Sequence, residues 1–175
     1  MENYLNKLHP IKCFVFDVDG VLTDGKVLAL ESGEQTRSFL VKDGYGIERA
    51  LLAGYIIAVI SGGKQKGVKK RLEFLKIEHI YLGVKDKIEV FNSLCEDNKI
   101  KPENVLYVGD DLPDYDVMKL VGLPCCPADA TQEIKDIALY VSDKKGGEGC
   151  VRDVIEKVMK VQGTWRKFEN ENINN

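Results

Sequence analysis

The chain of 175 residues has few histidines, one tryptophan and no marked excess of charge. Its two histidines, His9 and His79, do not accompany a serine or cysteine motif, so a hydrolase built on a Ser-His-Asp triad is not expected. The net charge of -3 gives no sign of the basic surface that nucleic acids require. Neither a membrane-spanning apolar run nor a signal peptide is recognisable. We therefore expect a cytoplasmic protein that binds neither nucleic acid nor membrane.

The cysteines follow no metal-binding pattern, because no C-x-x-C spacing occurs and their number, 5, is odd. We expect free, mostly buried thiols in a reducing compartment. A chain of this length with 44% apolar residues is long enough to form one domain with its own core.

Apolar runs alternate with helical patterns along the chain, which is typical of a Rossmann-like α/β domain with a parallel sheet flanked by helices. Apolar and β-branched runs predict strands near residues 12–16, 55–60, 79–82, 105–108, 123–126 and 139–141. Spacing of apolar residues on one face predicts helices near residues 44–53, 64–76, 86–98, 113–120, 131–137 and 149–161.

One segment interrupts this alternation. Residues 26–41 contain two strand-like runs around a turn with glycine, which predicts a β-hairpin flap. A two-stranded hairpin is marginally stable alone, so we expect it to pack on a partner surface. Its apolar side chains are Val27, Leu28, Leu30, Phe39 and Val41. The polar residues 163–175 predict a disordered tail, which leaves residues 1–162 as the folded domain.

The most informative segment is the apolar run at residues 13–16, which is followed by Asp17, Asp19 and Gly20. The run is typical of a buried parallel strand, so both carboxylates lie at its carboxyl end, where open α/β sheets bind ligands. Because side chains alternate along a strand, both can face one pocket. Two close carboxylates repel by about 4 kcal/mol at an effective dielectric of about 20, so they need a cation or a shared proton. An isolated Asp-x-Asp-Gly can also be a simple turn.

Three further motifs stand at the boundaries of later predicted elements, the first and third after apolar runs and the second at the start of a helical pattern. They are Ser61-Gly62-Gly63, Lys85-Asp86-Lys87 and Gly109-Asp110-Asp111-Leu112-Pro113-Asp114. Taken alone, Ser61 can cap a helix and Lys87 can be a surface lysine. The ordered set, with Asp17 and Asp19 first, resembles the four motifs of the haloacid dehalogenase superfamily of phosphohydrolases.

The resemblance to this superfamily implies a covalent mechanism with Mg²⁺. Asp17 is expected to be the nucleophile that forms an aspartyl-phosphate, and Asp19 to be the general acid and then the general base. The expected Mg²⁺ ligands are the side chains of Asp17 and Asp110 and the backbone carbonyl of Asp19.

The remaining motif residues receive supporting roles by the same resemblance. Asp111 and Asp114 are expected behind the metal ligands, where they orient waters and the lysine. Ser61, Gly62 and Lys87 are expected to hold the oxygens of the transferring phosphoryl group.

Most superfamily members that act on small metabolites carry a cap domain, but the 44 positions from Asp17 to Ser61 leave no room for one. Nearly the whole of residues 10–162 closely resembles the family of 3-deoxy-D-manno-octulosonate 8-phosphate phosphatases. That resemblance implies hydrolysis of this phosphorylated sugar acid in lipopolysaccharide precursor synthesis, by a homotetramer in which a neighbouring subunit covers the site. The substrate-binding candidates are Thr23, Asp24, Lys42, Arg71 and Gly147.

Two alternatives stay open at this point. Gly63 stands where many family members have arginine, and relatives that act on nine-carbon sialic-type acids also differ there. A phosphatase for a nine-carbon sialic or 2-keto-3-deoxy acid 9-phosphate is therefore the first alternative. The second is a non-catalytic oligomerisation module, because a similar domain is attached to some sialic-acid cytidylyltransferases. A buried cluster of carboxylates has no use in such a module, which favours the enzyme.

Overall fold

The computed structural model describes residues 4–166 of the protein. Its centre is a six-stranded parallel sheet in the order β5-β4-β1-β6-β7-β8. The sheet strands are β1 (Cys13–Phe16), β4 (Ile56–Ser61), β5 (His79–Leu82), β6 (Val105–Val108), β7 (Leu123–Cys126) and β8 (Tyr140–Val141). The six strands predicted from apolar runs are thus confirmed to within a residue or two at their ends, and so is the α/β class.

The strand order places β1 at a switch point of the sheet. After β1 the chain builds β4 and β5 on one side, and it then crosses back to build β6, β7 and β8 on the other. Phe16 pairs with Val59 of β4 and with Val108 of β6, so these strands end close to one another. Ligands bind in open α/β sheets at the carboxyl ends of strands beside such a reversal. The sequence motifs that follow β1, β4 and β6 therefore meet at one edge.

Within residues 4–166, seven α-helices accompany the strands. They are α1 (Tyr4–Leu8), α2 (Val41–Leu52), α3 (Lys66–Phe74), α4 (Lys87–Asp97), α5 (Tyr115–Met118), α6 (Gln132–Ile137) and α7 (Cys150–Val161). Side chains of α2, α3 and α7 pack with Phe14 and Phe16 on one face of the sheet. Side chains of α4, α5 and α6 pack with Cys13 and Val15 on the other. This two-sided cover explains why β1 is apolar at every position.

The hairpin is shorter than the prediction. Its strands, β2 (Leu28–Ala29) and β3 (Gln35–Thr36), pair with each other and with no strand of the main sheet in the described part of the chain. Val41 does not belong to the hairpin, because it is the first residue of α2. Phe39 packs on the core of its own domain and offers no partner surface. Val27, Leu28 and Leu30 are exposed.

The predicted tail begins later than residue 163. Trp165 packs against the core, and its backbone carbonyl accepts a hydrogen bond of 2.6 Å from Arg49 Nη2. The Arg152 guanidinium lies 4.3 Å from the centre of the Trp165 ring. Residues 163–166 therefore belong to the folded domain, whereas residues 167–175 lie outside the described part. The short helix α1 was not predicted, and within residues 4–166 no helix has the length and apolar character needed to cross a membrane.

Candidate active site

The two carboxylates after β1 are held by a tight turn. Residues Val18–Leu22 form a single wide turn in which Thr23 N donates to Val18 O at 3.0 Å. Asp17 Oδ1 accepts a hydrogen bond of 2.7 Å from Val18 N, which fixes the side chain at the mouth of this turn. Gly20 has a φ of 82°, and a Cβ at this position would overlap the Asp110 carboxylate. Glycine after the second carboxylate is therefore required by both backbone conformation and the approach of the β6 loop.

Lys87 connects the nucleophile candidate with a buried carboxylate. Its Nζ lies 3.2 Å from Asp17 Oδ2 and 2.7 Å from Asp114 Oδ1, and its side chain is only 7% exposed. Asp86 positions the lysine, since its carboxylate accepts from Ile88 N and Glu89 N and so begins α4 at Lys87. Burial by itself lowers the pKa of Lys87, but the charges of Asp17 and Asp114 outweigh it and raise the pKa above the usual value. The lysine is therefore a buried cation, and the alternative of a surface lysine is wrong.

Asp114 is fully buried and has hydrogen-bond donors on both oxygens. Its Oδ1 accepts from Lys87 Nζ and from the Tyr107 hydroxyl, each at 2.7 Å, and its Oδ2 accepts from Asp110 N at 3.3 Å. This arrangement orients the lysine and the loop after β6. Tyr107 was missed from sequence because it lies inside an apolar strand, although a buried tyrosine hydroxyl needs a partner.

Three carboxylates approach closely at the end of β1. One oxygen each of Asp17, Asp110 and Asp114 lies within 4.8 Å of the other two. Burial, with the charge of Asp114, raises the pKa of Asp17 to about 6, although Lys87 opposes the shift. Burial, with the charges of Asp17 and Asp114, raises the pKa of Asp110 to about 7. The ionised carboxylates therefore destabilise one another, and a bound cation relieves this effect.

The donor set fits Mg²⁺, which prefers a few carboxylate oxygens together with waters and phosphate. Asp114 is fully buried and its two oxygens accept three hydrogen bonds from protein donors, whereas the Asp17 side chain is 13% exposed and Asp110 is half-buried. The structure therefore favours Asp17 and Asp110 as the carboxylate ligands, with Asp114 behind them. Asp111 stands apart, because it is exposed and its carboxylate accepts from Leu112 N at the start of a short helical turn.

Ser61 ends β4 and does not cap α3. The helix begins at Lys66, and its N-cap residue is Gln65, so the helix-capping interpretation of Ser61-Gly62-Gly63 is wrong. Ser61 is 3% exposed, and its hydroxyl accepts a hydrogen bond of 3.3 Å from Gly63 N. The helix α3 starts too far along the chain for its N-terminus to be the anion site at Ser61. The hydroxyl and the adjacent loop face a shared cavity.

That cavity has a volume of about 360 Å³ and gathers the first three motifs. Its walls are Asp17, Asp19, Ser61, Gly62, Gly63, Val84, Lys85, Lys87 and Pro113. Two carboxylates, a hydroxyl and a buried cation therefore face one space. A second groove of about 540 Å³ lies between the hairpin and α3, and Arg71 and Arg37 are among its walls.

The substrate-binding candidates are not gathered in one place. Arg71 lines the groove beside the hairpin, whereas Lys42 lies exposed on the first turn of α2. Thr23 is fully buried, and Asp24 pairs with Lys26 at 3.4 Å. Gly147 donates from its backbone to Val21 O at 3.0 Å, close to Thr23 and Asp24. These last three residues pack the loop before α7 onto the turn after β1.

Comparison with known proteins gives consistent matches. The chain matches the haloacid dehalogenase-like hydrolase family over residues 76–155. It is 41% identical to the 3-deoxy-D-manno-octulosonate 8-phosphate phosphatase KdsC of Salmonella typhi, over 97% of this chain and 90% of the relative.

Solved structures agree with the sequence matches. One is the 3-deoxy-D-manno-octulosonate 8-phosphate phosphatase from Moraxella catarrhalis in complex with magnesium ion, phosphate ion and KDO, with a TM-score of 0.93 and 32% identity. That match covers 98% of this chain and 99% of the other. The cobalt-bound deoxy-D-mannose-octulosonate 8-phosphate phosphatase YrbI from Haemophilus influenzae matches with a TM-score of 0.89 and 32% identity, over 95% of this chain and 97% of the other.

Proposed function

Because this chain belongs to the family of 3-deoxy-D-manno-octulosonate 8-phosphate phosphatases, we propose that the cavity at the end of β1 is where it hydrolyses that substrate. The protein is a Mg²⁺-dependent phosphoric monoester hydrolase that releases the free sugar acid and phosphate. We assign the site to this cavity because its walls include Asp17, Asp19, Ser61 and Lys87. The non-catalytic module is not supported, since it would not need this buried charge cluster.

Asp17 is the proposed nucleophile. Its carboxylate oxygen forms a bond to phosphorus while the bond from phosphorus to the sugar oxygen breaks, and the bonding electrons stay on that oxygen. Lys87 Nζ lies 3.2 Å from Asp17 Oδ2 and orients this carboxylate, and both side chains line the cavity. Mg²⁺, held by Asp17, Asp110 and the Asp19 carbonyl, would supply positive charge to the phosphoryl oxygens when bound.

Asp19 is the proposed proton donor and acceptor. An alkoxide is a poor leaving group, so the Asp19 carboxyl group gives its proton to the sugar oxygen as that oxygen departs. The Asp19 carboxylate then takes a proton from a water that attacks phosphorus and breaks the bond to Asp17. Ser61 and the backbone at Gly62 are proposed to bind the phosphoryl oxygens, and Lys87 to offset their charge during the transfer.

A phosphate-release assay tests this function. The panel contains 3-deoxy-D-manno-octulosonate 8-phosphate, a nine-carbon sialic acid 9-phosphate and an aryl phosphate, each with Mg²⁺ and with a chelator. We expect the eight-carbon substrate to have the highest kcat/KM and the chelator to abolish turnover. A higher kcat/KM for the nine-carbon phosphate would instead support the alternative substrate. Phosphate release from the aryl compound alone would contradict a sugar-acid phosphatase.

We further propose a closed homo-oligomer, most simply a tetramer, in which hairpins associate. The proposal rests on the exposed apolar side chains of the hairpin, of which Leu28 is 64% exposed. A site without a cap domain also needs cover to exclude water, and a neighbouring subunit can supply it. Leu28→Asp should split the oligomer in sedimentation and lower turnover of the sugar phosphate more than that of an aryl phosphate. Leu52→Asp, at an equally apolar position that is 58% exposed on α2, is the control.

A parent protein that sediments as a monomer at assay concentration with full activity would contradict assembly through the hairpin.

We also propose that the protein works in the cytoplasm. All five of its cysteines are free and buried, which suits a reducing compartment.

A further inference from the structure

Arg37 reaches from the hairpin into the active site. It follows β3 directly, and its side chain is only 5% exposed. Its Nε donates to Asp19 Oδ1 at 2.8 Å, and its Nη2 donates to Asp19 Oδ2 at 3.2 Å. Two parallel bonds from one guanidinium fix both the position and the plane of a carboxylate. No motif in the sequence predicted this contact, which spans 18 positions.

Few other groups in the described part of the chain contact the Asp19 carboxylate. Its side chain is 37% exposed and lies on a short turn at the cavity wall. The Thr23 hydroxyl is 3.5 Å from Oδ1, which is a weak contact compared with that of Arg37. The two Asp19 oxygens also differ, because Oδ2 has the longer bond to Arg37 and lies 3.7 Å from where a Cβ of Gly63 would stand. Oδ1 is therefore the anchored oxygen and Oδ2 the one beside the cavity.

We propose that Arg37 is a positioning residue that holds Asp19 so that Oδ2 faces the leaving oxygen of the substrate. The proton passes between Oδ2 and that oxygen while Oδ1 stays bonded to Arg37 Nε. This inference rests on the proposed role of Asp19 as general acid. It also makes the hairpin part of the reaction in the same subunit, because β3 carries the arginine to the site.

Substrates with different leaving groups distinguish a positioning role of Arg37 from a merely structural one. Forming the aspartyl-phosphate from an alkyl phosphate needs a proton donor, whereas a nitrophenolate leaves without one. The value of kcat/KM reports steps up to the first irreversible one, so it isolates this transfer. Arg37→Met should therefore lower kcat/KM for a pentose 5-phosphate and for the sugar acid phosphate by about 10- to 100-fold, the range expected for a misplaced group. For p-nitrophenyl phosphate it should change kcat/KM by less than about twofold.

Two further variants sharpen the comparison. Arg37→Lys keeps the charge but loses the fork of two donors, so it should recover only part of the alkyl phosphate activity. Lys101→Met removes the same charge from an exposed position before β6, and it should leave all three substrates unchanged. Circular dichroism and thermal unfolding establish that each variant is folded before its kinetics are compared.

The other outcomes would overturn the inference. An equal loss on the aryl and alkyl phosphates would mean that Arg37 acts on the phosphoryl group or on the fold. A loss confined to the sugar acid phosphate would mean that Arg37 binds the substrate carboxylate, for which its buried Nη1, unpartnered within residues 4–166, is available. Unchanged or faster alkyl phosphate turnover would mean that the contact is not used. A parent protein that does not hydrolyse the sugar acid phosphate would refute the proposed function. The comparison of kcat/KM between the alkyl and aryl phosphates would still test the role of Arg37.

Discussion

Replacing Lys87 by methionine should expose how strongly the active-site carboxylates depend on one cation. Methionine has a similar length and removes only the charge and the donors. In the parent, Lys87 Nζ lies 2.7 Å from Asp114 Oδ1 and 3.2 Å from Asp17 Oδ2, and both carboxylates are largely buried. Removing one partner of a buried ion pair leaves an uncompensated charge, at a cost of about 3–5 kcal/mol. We expect Lys87→Met to lower the free energy of unfolding by about this amount at pH 8 in a chelator.

The loss should depend on pH with a defined sign. Burial, with the charge of Asp114, already raises the pKa of Asp17 to about 6, and Lys87 works against that rise. Without the lysine the folded-state pKa of Asp17 rises further above its value in the unfolded chain. At low pH, protonation of Asp17 in the folded protein relieves its repulsion with Asp114, and this relief is lost as the pH rises. The difference between parent and variant should therefore be small near pH 5 and largest near pH 8.

Urea denaturation followed by circular dichroism at pH 5, 6.5 and 8 measures this difference. Lys85→Met is the matched control, because Lys85 lines the same cavity but is exposed. A surface substitution of this kind should change the free energy of unfolding by less than about 0.5 kcal/mol. A loss below about 1 kcal/mol for Lys87→Met at every pH would show that the carboxylates do not rely on the lysine.

Four further predictions concern the site and its support. Asp17→Asn should abolish turnover, and activity within about tenfold of the parent would rule out the covalent mechanism. Asp19→Asn should also stop turnover of sugar phosphates but retain Mg²⁺ binding by calorimetry, because only its backbone carbonyl is a proposed ligand. Chelation should remove activity, Mg²⁺ or Mn²⁺ should restore it, and Ca²⁺ should restore it poorly in the same phosphate-release assay. Burial raises the pKa of Asp43 to about 6, although a hydrogen bond from Arg152 N opposes the rise. The parent should therefore lose about 2 kcal/mol of stability relative to Asp43→Asn as the pH rises from 4 to 7.5, and equal urea denaturation profiles would contradict this.

Local sequence signals were enough to predict the sheet and the edge where the site lies. A strand that is buried on both faces must be apolar throughout, so β1 and β6 stand out without any long-range information. Polar residues directly after such strands lie at one edge, so Asp17 and Asp19 could be placed there from the residues alone. That placement needs only the period of a strand and the rule that ligands bind where parallel strands end. The meeting of Asp17 and Asp110 was implied by the resemblance to the superfamily.

The sequence was less informative about segments with weak periodicity. The hairpin extends over fewer residues than its apolar runs indicated, because Phe39 packs on the core and Val41 begins α2. The end of the folded domain was also placed too early. Trp165 follows α7 and packs against the core, and Arg152 of α7 contacts its ring. No local sequence pattern predicts such a contact.

By itself, the sequence determined the α/β class, the order of the motifs and the carboxylates that lie at the sheet edge. Only the tertiary structure decided which side chains support them. The Tyr107 hydroxyl on Asp114 and the Arg37 guanidinium on Asp19 join residues from different elements. Such contacts depend on the path of a loop and the rotamer of a side chain, which neither periodicity nor spacing specifies. Hydrogen-bond geometry within a buried site is therefore set by the packing of the whole domain.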